Sequence, residues 1–308
     1  MVVRVGMIGI SEGNGHPFSF SAIINGYSDD GLANAGWPVI HDYVRARHFS
    51  DFGVGELKVT HAWTQDAAQS RLLCAAADIP HSVSAPTDII GSVDAVIIAR
   101  DDYARHMELA EPFLNAGLPV FVDKPLCLDA EELARFAPYL ERGQLMSCSG
   151  MRFAKELDEL RRDLPGYGRL SLVRAAVVND WTRYGIHMLD AIFPLLEARP
   201  AFVRPLPGPH DSVAIHLNDG PQITIDALGR APKTFRIDVF GTDRTSSHEI
   251  ADNFSMFRRC LWEFWTMIDQ GRPSVPAAST IDIIRTLIAG QRAIREQKDI
   301  AIDDIRIS

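Results

Sequence analysis

The 308 residues hold only four cysteines, Cys74, Cys127, Cys148 and Cys260, scattered and without any C-x-x-C spacing. Neither a zinc site nor a disulfide framework is expected from them, and no other metal is implied. No apolar run approaches the roughly 20 residues needed to cross a bilayer. The opening Met1-Val2-Val3-Arg4-Val5 enters a strand-like pattern at once, without the charged region, apolar stretch and cleavage site of a signal peptide. There is no basic stripe, and a net charge of −9 argues against nucleic acid as a partner. Internal repeats and low-complexity segments are absent too. What remains, 46% hydrophobic and 23% charged, has the composition of an ordinary soluble globular protein, for which a reducing cytoplasm is the simplest location and no membrane partner is expected.

A chain of this length exceeds what one hydrophobic core usually serves, so two domains are expected. Residues 2–10, 57–63, 95–99 and 119–122 are short, β-branched and apolar on both faces, as buried parallel strands are. Helical spacing lies between them at 65–77 and 103–116, the second closed by Gly117. Alternation of this kind predicts a doubly wound α/β domain of the Rossmann type. After Pro125 the pattern changes. Helices are predicted over 130–140 and 153–164, and strands over 170–179, 212–217, 222–228 and 234–240. Helices return at 254–270 and 280–297. The last three strands have no helix between them, which predicts an α+β domain with a mostly antiparallel open sheet. The expected domains are 1–126 and 127–308. About 46 residues separate the first strand from the second, against about 30 for a complete βαβ unit. The excess, 25–55, carries Trp37, His41 and Tyr43; it reads as surface decoration or as a share in a ligand pocket or subunit interface.

The first strand runs into Gly9-Ile10-Ser11-Glu12-Gly13-Asn14-Gly15-His16-Pro17, with helical spacing from about Ser19. A glycine-rich turn between strand and helix lets backbone N–H groups approach a pyrophosphate. In the register of G-x-G-x-x-G the three positions fall on Gly9, Ser11 and Asn14, a departure that small Ser and left-handed-tolerant Asn still accommodate. Gly13 lies in the same turn. Glu12 fits only if it faces solvent. The end of the second strand, which selects between NAD and NADP, reads Trp63-Thr64-Gln65-Asp66; Thr64 takes the diagnostic position and Gln65 follows. Asp66 suits an N-cap better than a ribose contact. The cofactor is therefore NAD or NADP, with the choice open.

In Pro119-Val120-Phe121-Val122-Asp123-Lys124-Pro125 a lysine stands at the carboxyl end of a buried strand, where open α/β sheets bind ligands. An isolated Asp-Lys-Pro would read as a solvated turn. Beside a nicotinamide, however, a desolvated lysine can exchange a proton with a substrate hydroxyl as hydride moves. The run resembles the Glu-Lys-Pro signature of the glucose–fructose oxidoreductase, inositol dehydrogenase and rhizopine-catabolism family (Gfo/Idh/MocA), with Asp123 for Glu. Further likenesses follow in order. Residues 94–99, His106 and Ala116-Gly117 resemble the family's third-strand loop and helix. Gly150-Met151-Arg152-Phe153 resembles its Arg-Phe pair, and Gly185-Ile186-His187-Met188-Leu189-Asp190 its G-x-H-x-x-D helix. The ending, Phe264 to Gly271-Arg272-Pro273 and a long helix, is also similar.

The resemblance implies Lys124 as the catalytic or proton-relaying group and His187 as the residue that binds or deprotonates the substrate hydroxyl, with Asp190 one turn later able to orient its ring. The bland alternative for His187 is a core histidine. Where the family often has an acid four residues before this histidine, the chain has Arg183; Asp180 is displaced, and Tyr184 either joins the relay or packs. Arg183 suits an anionic substrate or a local salt bridge. Ala99-Arg100-Asp101-Asp102-Tyr103 replaces a Thr-Pro-Asn-like turn, so Arg100 either reaches cofactor phosphates or faces solvent. The expected cofactor contacts are thus Gly9, Ser11, Gly13, Asn14, Thr64, Gln65, Ala99, Arg100, Asp123 and Lys124. The expected substrate side is Arg152, Trp181, Arg183 and His187, with Trp181 stacking on a sugar face. The implied activity is NAD(P)-dependent hydride transfer to or from a secondary alcohol of a sugar, cyclitol or sugar-derived substrate. The alternatives are a sugar- or nucleotide-binding module without turnover and a cofactor-retaining glycoside-cleaving enzyme. Relatives commonly pair through the second sheet, which implies a homodimer or homotetramer.

Overall fold

A computed structural model describes Val2–Ile307. In chain order its elements are β1 (Val3–Ile8), α1 (His16–Asn25), α2 (Asp29–Ala33), α3 (Pro38–Arg45), β2 (Leu57–Trp63), α4 (Ala67–Ala76), β3 (His81–Ser82) and β4 (Ala95–Ile98). Then come α5 (His106–Asn115), β5 (Val120–Val122), α6 (Ala130–Glu141), β6 (Leu145–Met146), α7 (Asp158–Arg162), β7 (Leu170–Val177), α8 (Trp181–Ile192) and β8 (Pro200–Pro205). The chain closes with β9 (Asp211–Leu217), β10 (Gln222–Ala227), β11 (Phe235–Gly241), β12 (Thr245–Glu249), α9 (Asn253–Gln270), α10 (Ala277–Glu296) and β13 (Ile300–Ala301).

Two compact units emerge. The first comprises Met1–Leu126, Phe136–Cys148 and Asn253–Ala277, and the second Cys127–Arg135, Ser149–Asp252 and Ala278–Ser308. The first unit therefore takes in two segments that lie beyond residue 126. Its sheet is parallel, in the order β3-β2-β1-β4-β5-β6. β4 and β5 are buried on both faces, which fits their continuous β-branched and aromatic sequence. The order reverses between β1 and β4, and at such a switch point the carboxyl ends of the strands open a crevice for ligands. α1 is buried from Pro17 to Ile24. Its Phe20 meets Phe121 at 6.0 Å and Phe257 of α9 at 5.4 Å, while Phe121 also meets Phe264 of α9 at 5.9 Å. This aromatic stack is why α9, late in sequence, belongs to the parallel sheet's unit.

The insertion folds as α2 and α3 and packs inward. Ser28 caps α2 by accepting from Gly31 N–H. Tyr43 donates to Ser19 Oγ at 2.5 Å, and Trp37 lies 6.2 Å from Phe18. A side chain at Gly15 would come within 2.5 Å of Ile40 and 2.7 Å of Trp37. His41 bonds Asp29 at 2.7 Å. Trp37, Ile40 and Tyr43 thus buttress α1 and the turn that precedes it.

The second unit holds a seven-stranded sheet, β12-β11-β7-β10-β9-β8-β13, in which only the β7–β10 pair is parallel. The expected fold class, a parallel Rossmann sheet with a mostly antiparallel second sheet, is the observed one. α8 packs on β7 and β10. The single helix expected over 153–164 is broken. Ser149 caps a short 3-10 turn, Gly150–Phe153, and Ala154 is extended after it. Arg161 then donates to the carbonyls of Ala154 and Arg152, each at 2.7 Å, replacing the helical ladder there. Among the described residues no helix is long and apolar enough to cross a membrane.

Candidate active site

The carboxyl ends of β1, β2, β4 and β5 bring together every residue expected at the cofactor. β1 ends at Gly9, whose φ of +83° is left-handed and whose N–H bonds Trp63 O at 2.7 Å. The turn then runs through Ser11 and an exposed Gly13 to a buried Asn14, and α1 starts at His16, three residues earlier than its spacing suggests, because Pro17 suits the first turn of a helix. Gly15, the N-cap, supplies no side chain to the helix N-terminus; His16 N–H there donates to Asn14 Oδ1 at 2.9 Å, Pro17 has no N–H, and Phe18 N–H donates to Gly15 O at 3.1 Å. Glu12 is exposed and leaves that space clear. The left-handed glycines of the turn, Gly9 and an open, exposed Gly13, are the backbone positions that would let a dinucleotide pyrophosphate approach.

β5 delivers Asp123 and Lys124, 1% and 6% exposed. Asp123 accepts from Asn14 Nδ2 at 2.9 Å, from Lys124 N–H at 2.9 Å and pairs with His16 Nδ1 at 2.6 Å. Burial opposes its ionisation, but the charges of His16 and Lys124 and the bonds from His16 and Asn14 outweigh that and hold the carboxyl below its ordinary value. Such a group stabilises the fold above its unfolded pKa of about 3.9, and the stabilisation is lost as pH falls through the lower folded value. Asp123→Asn is therefore expected to lose less stability than the wild type on acidification below about pH 4. Denaturant titrations across that range check it, and parallel pH curves would contradict it.

Lys124 Nζ lies 3.5 Å from Asp101 Oδ2, and Asp101 Oδ1 accepts from Ser11 Oγ at 2.5 Å. The loop after β4 thus ties the lysine to the phosphate turn. His106, fully buried, faces Arg100 O at 2.8 Å and Leu126 O at 2.9 Å with its two ring nitrogens. It pins that loop to the segment following Lys124. Burial pushes its pKa down. Ala99 is buried and donates its N–H to Ile8 O at 2.9 Å. Thr64 does not present its hydroxyl to a ligand: it is 3% exposed, donates to Asp66 O at 2.6 Å and pairs with Ser70 Oγ at 2.9 Å. Asp66 caps α4 through Ala68 N–H at 2.8 Å. Gln65 is the outward residue at the end of β2; it bonds Ile10 O at 2.5 Å and receives Arg100 Nη1 at 3.3 Å.

In the second unit, α8 begins at the N-cap Asp180, which accepts from Arg183 N–H at 3.0 Å. His187, 9% exposed, bonds Ser149 Oγ through Nδ1 at 2.6 Å. A hydroxyl both donates and accepts, so this bond is compatible with a proton on either ring nitrogen. Asp190 does not orient the ring. It accepts from Ser149 N–H at 2.7 Å and from Arg152 Nη1 at 3.2 Å, positioning Ser149 instead. Burial raises the Asp190 carboxyl to about 6, against the opposing pull of Arg152. Arg152 also bonds Ser279 at 3.0 Å and is buried in that ion pair, which accounts for its charge without a substrate.

One further expectation needs correction. Trp181 cannot stack on a sugar: it is 1% exposed, its Nε1–H donates to Leu287 O at 2.9 Å, and its ring fills the space over Gly185 and Gly290. Arg183 is exposed and makes the local pair with Asp180 at 3.4 Å. Tyr184 packs edge-on against His187 at 5.2 Å and stacks on Phe235 at 6.2 Å. Asp101, His16, Ser149 and Phe235 complete these clusters and had no motif of their own to mark them. Among the described residues no group of histidines, cysteines and acids is placed to hold a metal ion.

The parallel sheet, with its switch point between β1 and β4 and the glycine turn after β1, defines a Rossmann-type fold. Residues 31–149 match the family model described as the oxidoreductase family with NAD-binding Rossmann fold (GFO_IDH_MocA), the family whose signature the run around Lys124 resembles. A curated protein of Amycolatopsis mediterranei (strain S699), provisionally named the oxidoreductase subunit of UDP-kanosamine synthase, is 31% identical over 117 residues, 37% of this chain. The match spans 32% of that relative's length. Among solved structures, scyllo-inositol dehydrogenase from Lactobacillus casei with bound NAD(H) and scyllo-inositol aligns at TM-score 0.76 and 14% identity, covering 98% of this chain and 100% of that one. Myo-inositol 2-dehydrogenase from Lactobacillus plantarum aligns at TM-score 0.76 and 15% identity, covering 98% and 99%. At these identities the likeness establishes the fold.

Proposed function

We propose that this protein is an NAD(P)-dependent dehydrogenase acting on a secondary alcohol of a cyclitol, sugar or sugar-derived substrate. The observation that carries the reading is Lys124, buried at the carboxyl end of β5 and linked through Asp101 to Ser11 of the phosphate turn. The nicotinamide, when bound, supplies the hydride acceptor or donor. In this reading Lys124 and His187 handle the hydroxyl proton, and Tyr184 orients His187 through its ring. The first unit holds the cofactor, and the second serves substrate binding and pairing of subunits, through a homodimer or homotetramer. The inositol-binding relatives favour cyclitols, and the UDP-kanosamine synthase relative adds nucleotide sugars to the substrates worth trying.

One observation favours a second reading. Ser11 is already bonded by Asp101, an acid beside the phosphate turn, which suits a sugar- or nucleotide-binding module that no longer turns over. Thermal-shift titration with oxidised and reduced NAD and NADP, followed by a panel of inositols, sugars, sugar acids and nucleotide sugars, separates the two. The dehydrogenase reading expects stabilisation by a nicotinamide cofactor and reduced cofactor accumulating with at least one substrate. Stabilisation by sugars alone would favour the module, and release of a leaving group with no net reduced cofactor would assign glycoside cleavage.

A further inference from the structure

The adenosine ribose of a Rossmann-bound dinucleotide lies at the carboxyl end of β2, where an acid selects NAD and a nearby arginine admits the 2′-phosphate of NADP. Here no acid is aimed at that place. Thr64 is turned inward onto Ser70, and the Asp66 carboxylate is engaged in capping α4. No cation follows on the same loop before Arg71.

A cation reaches it from another strand. Arg100, directly after the buried Ala99 at the end of β4, lays its side chain across β1: a Cβ on Gly9 would stand 2.3 Å from Arg100 Cδ. The guanidinium ends beside Gln65, with Nη1 3.3 Å from Oε1. Gln65 is itself held by Ile10, so both groups are fixed to the phosphate turn. The Arg100 side chain is 11% exposed, and Asp102 grips it through Nε at 2.7 Å and through Nη2. Arginine has five N–H donors. The two bonds to Asp102 and one to Gln65 leave an N–H on each terminal nitrogen, the pair that makes a fork for a phosphate.

We propose that Arg100 is a specificity-determining residue that makes this protein prefer NADP(H), its guanidinium and Gln65 receiving the 2′-phosphate beyond the end of β2. The proposal rests on the reading of the first unit as a nicotinamide-dinucleotide site. Asp102 acts as a positioning residue. It holds the planar fork across Gly9 before the cofactor arrives, so less ordering remains to be done on binding. Because the contact is charge on charge, the preference weakens as salt is raised.

Calorimetric titration of NADPH and NADH into the wild type, Arg100→Met and Arg100→Lys tests this without turnover. The wild type is expected to bind NADPH about tenfold or more tightly than NADH, the worth of a charge-assisted fork. Arg100→Met should abolish most of that advantage while NADH affinity moves by less than about threefold, and Arg100→Lys should keep part of it. Equal weakening for both cofactors would overturn the proposal by assigning Arg100 to the pyrophosphate. Tighter binding of both would overturn it by making the side chain a plug over Gly9. A wild type that prefers NADH also overturns it. Failure of the wild type to bind either cofactor, in protein whose melting is cooperative, would remove the dinucleotide reading itself, a result distinct from the other three.

Discussion

Replacing Lys124 with methionine is expected to lower turnover by about 10²- to 10⁴-fold, the usual contribution of a positioned proton-transfer group. Methionine keeps much of the aliphatic volume of a side chain that is 6% exposed, so the variant should fold. Its loss removes the cation beside Asp101, yet that carboxylate keeps its bond from Ser11. Cofactor affinity should therefore change far less than the chemical step. Steady-state kinetics with cofactor affinity measured separately make the check: a fall in kcat with near-constant cofactor binding supports a proton-handling lysine. A variant that turns over normally would show that the buried lysine serves only to balance Asp101 and Asp123.

The second large effect is one of stability. Trp181→Ala is expected to cost about 3–5 kcal/mol, the range for deleting a large buried aromatic. The indole is fully enclosed, a Cβ added at Gly290 would lie within 2.4 Å of it, and its N–H satisfies the Leu287 carbonyl within α10. Truncation empties that space and leaves the carbonyl without this donor. Trp181→Phe should fall between, because it refills part of the volume and still lacks the N–H. Denaturant unfolding measures both. If Trp181 stacked on a sugar instead, alanine would raise KM for the substrate and leave the unfolding midpoint near that of the wild type.

The contrast between these two residues shows where sequence was sufficient. The place of Lys124 at a buried strand end was legible because an apolar, β-branched run and a following proline converge on it, and the position of a strand end is a local property. Burial on both faces likewise marked β4 and β5 as parallel strands. Trp181 was misjudged because its partners, Leu287 and Gly290, lie about a hundred residues away; proximity in sequence to His187 pointed the other way. The same holds for α9, whose amphipathic pattern is plain but whose partners, Phe20 and Phe121, are distant. Asp190 stands one turn after His187 on the helix, and only the arrival of Ser149 between them from another segment decides that it holds the serine. β8 begins and ends in proline and β12 is polar throughout, Thr245-Ser-Ser-His-Glu249, so neither carries the alternation that identifies a strand. The exposed end of β2 misled in a subtler way. Thr64 occupies the position that ordinarily reads the ribose, but the hydroxyl of Ser70, six residues on in α4, draws it inward, leaving Gln65 and the arriving Arg100 to define that edge.

The central claim is hydride transfer between a polyol carbon and a nicotinamide, governed by Lys124. Mass spectrometry of the cofactor after incubation with a panel of polyols deuterated at their alcohol carbons tests it most directly. The account predicts that one deuterium per turnover appears on the nicotinamide with the wild type and that none accumulates at a comparable rate with Lys124→Met. Cofactor that binds but stays unlabelled across the whole panel, or label transferred equally fast by the lysine variant, would contradict it.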